Sequence, residues 1–314
     1  MNGVAGSASA GTADRVRRAA EALDYRPVSA GRALRQKRSR LVALLAANLA
    51  NPAMTAIATS IETALREKGL VMVLCDTHDR ADLQDEYLQE MRAQLVRATI
   101  LLGAVASPHL TKMLAAGEPV LFINRRCPDQ GAHPYLGIDN VAAGRDVARF
   151  FLSHGIAVAG AIHGSLQSSA TAERVRSFCA ELAECGKPLS DGKVVTLDML
   201  DHVQIGFRTA AALIQPNGRQ ALFCSSDLIA YGAHRALCEA GLRVPEDVVL
   251  VGFDDTPLNE WLAPWLTSVR VPYEEFGPAM AEMLESIWAG DLVKPRMLSH
   301  RLVARLNCPT ACDG

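Results

Sequence analysis

The sequence predicts an α/β protein of two doubly wound parallel-sheet lobes, preceded by a short helical segment. Three observations predict it. From Leu41 onward, apolar runs of strand length alternate with segments whose apolar residues recur at helical spacing. That alternation is the pattern of β-α units, whose parallel strands are covered on both faces. About ten such strands are more than one ordinary sheet holds, so two sheets fit better. The 314 residues also suffice for about two domains. A cleft between two such lobes is the usual place for a small molecule.

The elements follow in order. Residues 1–11 are small and polar, and are expected to be flexible. Thr12 is positioned to cap a helix over 13–23, with Asp14 in its first turn and Val16, Ala19, Ala20 and Leu23 at helical spacing. Tyr25-Arg26-Pro27 stops it. A second short helix, 29–36, follows Ser29. Its Gly31 costs about 1 kcal/mol relative to Ala, so this helix forms only against a partner. LVALLAA (41–47) reads as a buried strand, and Asn51-Pro52 opens a helix over 52–68 with Ile57, Ile61 and Leu65 inward and Gly69 at its end. Strands are expected at 71–76, 98–104, 119–124 and 135–139, with helices 80–97 and 107–116 between them. Asn140 is placed to cap a helix over 141–154, which Gly155 ends. Beyond it come strand 157–162, helix 169–185, strand 193–197, helix 203–214, strand 220–224 and helix 226–240. Strand 248–253, helix 257–262, strand 269–272, helix 274–289 and strand 299–305 complete the chain.

The stretch VVLVGFDDTP (248–257) ends a buried strand on two adjacent carboxylates, Asp254 and Asp255. Ligands of open α/β sheets collect at the carboxyl ends of strands, where acidic side chains accept hydrogen bonds from a polyhydroxylated or cationic molecule. The same pair also suits a capped helix start. Both readings stand on pattern alone.

Hydrophobic residues are 49% and charged residues 21% of the chain, ordinary for a globular protein. No apolar run reaches the roughly 18 residues of a membrane span. The first residues lack the basic and apolar regions of a secretory signal, which points to the cytoplasm. The eight cysteines are scattered, with no CxxC and no paired Cys/His spacing suggesting zinc, so no metal or cofactor is expected. Charge is uneven. Between Arg15 and Arg40, nine basic residues face Glu21 and Asp24, a segment of +7, so the rest of this −2 chain sums to −9. A basic arm on an acidic body suggests a polyanion contact or a solvated linker. No GxxxxGK[ST], GxGxxG after a strand, HExxH or GxSxG occurs. His154, His163 and His234 have no Ser or Cys partner at an informative spacing and read as satisfied surface residues. No catalytic set appears, and the chain is not expected to be an enzyme.

At this point the residues resemble the lactose-repressor/galactose-repressor family of bacterial transcription regulators. ALDYRPVSAGRALRQKRSRLVALLAANLANP (22–52) looks like the last helix of a DNA-binding headpiece, a hinge helix and the first core strand. GIDNVAAG (137–144) resembles the element that opens the second lobe, and SSDLIAYGAHRALCEAGLRVPEDVVLVGFDDTPL (225–258) is close to the family pattern throughout. LTSVRVPYEEFG (266–277) resembles the crossover back to the first lobe. The resemblance implies a periplasmic-binding-protein-like core that dimerises and binds a sugar, nucleobase or related metabolite between its lobes, and a sugar or sugar acid is the effector expected here. It divides the chain into a partial headpiece and hinge (1–40), a first lobe (41–136 with 269–297) and a second lobe (137–268 with 298–314).

Carried over residue by residue, the effector positions it implies are Met54, Thr55, Asn124, Tyr135, Asp139, Arg174, Ser226 and Asp254. Met54 and Thr55 stand where many relatives have aromatics, which leaves a stacked planar ring unsupported. The hinge residues implied to contact operator DNA are Arg32, Ala33, Leu34 and Arg35, with Leu34 at the position that wedges a minor-groove base step. Only Met1–Gly3 match the end of a recognition helix. The sequence as given is therefore expected to lack most of the helix-turn-helix and to bind DNA weakly. A non-catalytic solute-binding protein is the alternative; the basic arm and the missing signal count against it.

Overall fold

Residues 10–22, 39–129, 131–215 and 218–305 are described by the structure, a computed structural model of the chain. The expected hinge helix over 29–36, with Arg32, Ala33, Leu34 and Arg35, lies outside the described residues. Helix α1 (Ala10–Ala22) begins before Thr12, which therefore sits inside the helix and not at its cap.

The unbroken apolar run of β1 (Leu41–Ala46) is explained by burial on both faces: Val42, Leu44 and Ala46 pack into one core, Ala43 and Leu45 into another. Asn51 starts the following helix, α2 (Pro52–Glu67). Its side chain accepts from the Ala53 N–H, Pro52 takes the first helical position, and Gly69 at φ +69° closes the far end. Then come β2 (Val71–Asp76), α3 (Ala81–Ala93), β3 (Ala98–Leu102), α4 (Pro108–Ala115), β4 (Val120–Ile123) and β5 (Tyr135–Ile138). Joined late by β11 (Arg296–Leu298), these strands form one parallel sheet in the order β11-β5-β4-β3-β1-β2.

The second sheet is built from the middle of the chain. Its elements are α5 (Asn140–Ser153), β6 (Ala157–Ile162), α6 (Ser169–Glu184), β7 (Val194–Val195), α7 (His202–Leu213), β8 (Gln220–Cys224), α8 (Asp227–Glu239), β9 (Val248–Asp254), α9 (Asn259–Leu262) and β10 (Thr267–Arg270). After helix α10 (Tyr273–Ala289) and β11, the short β12 (Arg301–Val303) returns to pair antiparallel with β10. The strand order is β12-β10-β9-β8-β6-β7.

Helix α10 packs on α2 of the first lobe, although the strand before it, β10, belongs to the second sheet. Among the described residues the chain thus passes between sheets three times, after Ile138, Arg270 and Leu298. The expected divisions at 136/137, 268/269 and 297/298 each fall inside a strand; hydrogen bonding along the whole strand keeps it in one sheet and moves the passage to its end. One hydrophobic core spans both lobes, from Leu44, Ile61 and Phe276 to Phe151, Phe178, Phe223 and Phe253. The rings of Phe178 and Phe223 lie 4.8 Å apart. The outer face of the second sheet packs against α7 and α8 through Leu222, Leu250, Ile205 and Ile229.

Other local expectations change. Asp139, not Asn140, caps α5, accepting from the Ala142 N–H at 2.9 Å. That frees the Asn140 side chain, one residue into the helix, to turn inward. Strand β2 is the sheet edge, leaving Val71 and Leu74 more than 40% exposed where the apolar run suggested two buried faces. The three-residue β11 was not anticipated, because PRMLS has no apolar run of strand length.

Candidate functional site

The carboxyl ends of β1, β2 and β4 face those of β8 and β9 across a cavity of about 460 Å³. Both sheets run in the sense that places strand ends and helix starts at this cleft, which is why polar loop residues meet there. The first lobe contributes Asn48, Asn51 and Met54, then Asp79, Asn124 and Arg125 from the strand ends. The second contributes Ser168 and Arg174 of α6, His202 of α7, Ser225, Ser226 and Asp254. Ile57, Val271, Tyr273 and Phe276 supply an apolar wall where the chain crosses between lobes.

Arg174 and Asp254 form the centre of the second-lobe side. The Arg174 guanidinium lies 3.5 Å over the Phe253 ring and is 6% exposed. Its Nε donates to Asn140 Oδ1 at 2.8 Å and its Nη1 to the Ser225 carbonyl at 3.1 Å. The Asp254 carboxylate stands 3.7 Å from Nη1, an ion pair without a direct hydrogen bond. Burial therefore dominates there: it pushes Asp254 up to about 8, Arg174 offsets this only in part, and Asp227 adds a like charge. Burial also pulls Arg174 below its ordinary value, against the raising effect of Asp254, yet a guanidinium keeps its charge. Asp254 is held at φ +111°, with its carbonyl accepting from the Tyr273 hydroxyl at 2.8 Å.

The two carboxylates of the β9 terminus have separate surroundings. Asp255 turns away from the cavity into full burial, where Arg270 Nε donates at 2.5 Å, Arg305 Nη1 at 2.7 Å and Asn259 Nδ2 at 3.2 Å. Behind them lies a third carboxylate, Asp227. It accepts from Ser268 Oγ at 2.6 Å, Asn259 Nδ2 at 2.8 Å and the Thr256 N–H at 3.1 Å, and burial pushes it up as well. The glycine before Phe253 follows from this packing: a Cβ on Gly252 would stand 2.4 Å from Asp227 Oδ1.

On the opposite wall, Arg125 pairs with Asp79 through both carboxylate oxygens. His202 Nδ1 meets Ser226 Oγ at 3.0 Å, and burial, reinforced by Arg125, holds its pKa below the usual histidine value. Six described non-glycine residues have φ in the left-handed region, and four of them, His78, Asp79, Asn124 and Asp254, line this cavity. Such backbone costs on the order of 1–3 kcal/mol per residue and concentrates at ligand clamps.

Of the eight implied effector positions, Met54, Asn124, Arg174, Ser226 and Asp254 meet at the cavity, and three do not. Thr55 is one helical step past Met54, so its hydroxyl turns back to the Leu49 carbonyl at 2.8 Å. Asp139 is occupied as the α5 cap. Tyr135 faces a neighbouring cavity of about 820 Å³, beneath the Arg126 guanidinium, and its hydroxyl donates to the Asn124 carbonyl at 3.2 Å. Asp79, Arg125 and His202 were not anticipated. Asp79 and Arg125 sit on loops 46 residues apart with no shared motif, and His202 reads in the sequence as an ordinary helix start. His163, read as a surface residue, is buried, with Nδ1 against the Gly164 carbonyl.

The family of the periplasmic binding protein-like domain matches residues 148–306. The transcriptional regulator DegA of Bacillus subtilis is 28% identical over 259 residues, 81% of this chain and 75% of that protein. The transcriptional repressor PurR of Photorhabdus laumondii is 27% identical over 270 residues, 85% of this chain and 78% of that protein. Among solved structures, a complex of the transcriptional regulator CelR with cellobiose superposes with a TM-score of 0.74 at 27% identity, covering 96% of this chain and 92% of that one. The chain belongs to the periplasmic binding protein-like family, and over most of its length it is similar to transcriptional regulators.

Proposed function

We propose that the chain is a ligand-responsive repressor whose interlobe cavity binds a sugar or sugar acid, and that it acts as a homodimer on operator DNA in the cytoplasm. The observation that carries the effector reading is the meeting of Arg174, Asp254, Asn124 and Ser226 from both lobes on one cavity of about 460 Å³. That volume is in the range of small-molecule sites. Arg174 can donate to a ring oxygen or carboxylate, Asp254 can bridge two hydroxyls, and the apolar wall of Ile57 and Phe276 suits a sugar face. The cellobiose in the CelR complex is in keeping with a saccharide. No aromatic stands at 54 or 55 to stack a planar base.

In this reading the effector binds the closed arrangement of the lobes more tightly than the open one. The difference in affinity repositions the hinge residues Arg32, Ala33, Leu34 and Arg35 of the two protomers on DNA. Among the described residues no helix is long and apolar enough to cross a membrane.

A thermal-shift screen of sugars and sugar acids tests the effector reading. A ligand at a hundred times its Kd stabilises by about 2.7 kcal/mol, enough for a clear rise in Tm. Asp254→Ala is expected to weaken any hit by about tenfold or more, the loss of hydrogen bonds to a charged acceptor. A hit whose affinity is unchanged in Asp254→Ala places the effector elsewhere.

A further inference from the structure

The loop between β4 and β5 carries a set of side chains that the effector site does not use. Cys127, Asp129 and His133 bring a sulfur, a carboxylate and an imidazole nitrogen within 4.8 Å of one another. His133 Nε2 lies 3.0 Å from both Asp129 oxygens. The Phe122 ring, 5.7 Å from the His133 ring, backs the imidazole. The backbone leaves room at these donors: a Cβ on Gly131 would stand 2.6 Å from His133 Nε2 and 3.0 Å from Asp129 Oδ1. A side chain at 131 would fill the space where the donor atoms converge.

We infer that Cys127, Asp129 and His133 form a binding site for a thiophilic divalent cation of the zinc class. The donor set decides the class. Thiolate and imidazole favour zinc, while calcium and magnesium take oxygen ligands. Three protein ligands leave a tetrahedral ion one open position, as in exchangeable zinc sites. Cys127 and His133 line the 820 Å³ cavity, which supplies room for a water or an anionic group in that position. On binding, the Cys127 thiol gives its proton to the buffer and a sulfur–metal bond replaces the S–H bond.

Position gives the ion a consequence. The same loop begins with Arg125, which lines the interlobe cavity, and Arg126, whose Nε donates to Glu173 of α6 in the other lobe at 2.9 Å. A bound cation fixes the loop from which both arginines project. The inference does not rest on the identity of the effector.

The experiment uses the full chain, stripped with a chelator and titrated calorimetrically with zinc chloride, and in parallel with cobalt(II) while thiolate-to-cobalt charge-transfer absorption is followed. One equivalent of zinc and a charge-transfer band are expected. Replacing a hydrogen-bond partner of a ligand costs about 10- to 100-fold in metal affinity, so His133→Ala, which removes a ligand, is expected to cost about 100-fold or more. Cys127→Ser is expected to abolish the charge-transfer band. Because Cys127 is buried, the partly exposed His133 provides the variant that keeps the fold. Cys185→Ser, at an exposed cysteine, is expected to bind as the parent does. Absence of one equivalent in the parent chain overturns the inference. So does unchanged binding in both His133→Ala and Cys127→Ser, or loss of binding on replacing Cys308 and Cys312 alone.

Discussion

Asp254 and Asp255 are adjacent in sequence and opposite in environment. Asp255 is neutralised by Arg270 and Arg305, while Asp254 keeps a buried carboxylate with Arg174 at arm's length. The raised Asp254 makes a pH prediction with a definite sign. Its folded pKa of about 8 lies above the ordinary carboxylate value of 3.8, so between those values the folded chain holds more protons than the unfolded one. Unfolding free energy from this group therefore falls as pH rises through that window and levels off above it. Thermal melts between pH 5 and 8 are expected to show this decline, and Asp254→Asn to flatten it. On the proposed reading, effector hydroxyls donate more strongly to the charged form, so affinity is expected to rise over the same range in the parent chain and to stay level in Asp254→Asn. Calorimetry at several pH values checks both. The sequence pointed to Asp254 through its place at a strand end. It gave no sign of Asp79, Arg125 or His202, which two loops and a helix start bring to the cavity only in three dimensions.

Elements were more legible than contacts between them. Alternating apolar runs and helical spacings mark nearly every strand and helix because each buries a full face, and Asn51, Gly69, Gly155 and Gly241 mark helix ends by their chemistry. Edge position is invisible in the same signal, as β2 shows, and so is how closely two helices approach. Helices α7 and α8 meet backbone to backbone. A Cβ on Gly232 would stand 1.9 Å from the Val203 carbonyl, and one on Gly206 2.0 Å from the Ile229 carbonyl. Neither atom can yield as a flexible side chain would. Gly232→Ala would normally favour a helix, yet here it is expected to destabilise by about 1–3 kcal/mol, the cost of forcing extra atoms into a packed interface. Urea denaturation of the parent and Gly232→Ala decides between the signs: a stabilised variant would mean that the two helices separate at little cost.

At the scale of the whole molecule, the chain passes between the sheets at Asp139, at Val271–Pro272 and at Ser299–His300, and these passages hold the lobes as neighbours without fixing their separation. The two-lobe division could be read from strand number, and its exchange points only to within a strand, since hydrophobic pattern does not say which sheet a strand joins. Besides the core that spans both lobes, a polar contact joins them. Arg126 follows β4 of the first lobe, its Nε donates to Glu173 of α6, and its backbone N–H donates to Ser169 Oγ at 2.8 Å. The Arg126 and Glu173 side chains are 41% and 24% exposed, so water screens the pair and it contributes on the order of 0.5–1 kcal/mol. That is too little to hold the lobes shut and enough to bias them. Glu173→Gln keeps the size of the side chain and removes its charge. It is expected to shift the lobes toward opening and weaken effector binding about 2- to 5-fold, with no change in the denaturant midpoint, because the pair holds lobe to lobe and not lobe to core. Calorimetric titration reads the affinity, and small-angle scattering of the ligand-free variant reads the opening as a larger radius of gyration. An unchanged affinity and radius in Glu173→Gln would mean that the core shared across the lobes, and not this ion pair, sets the closed arrangement.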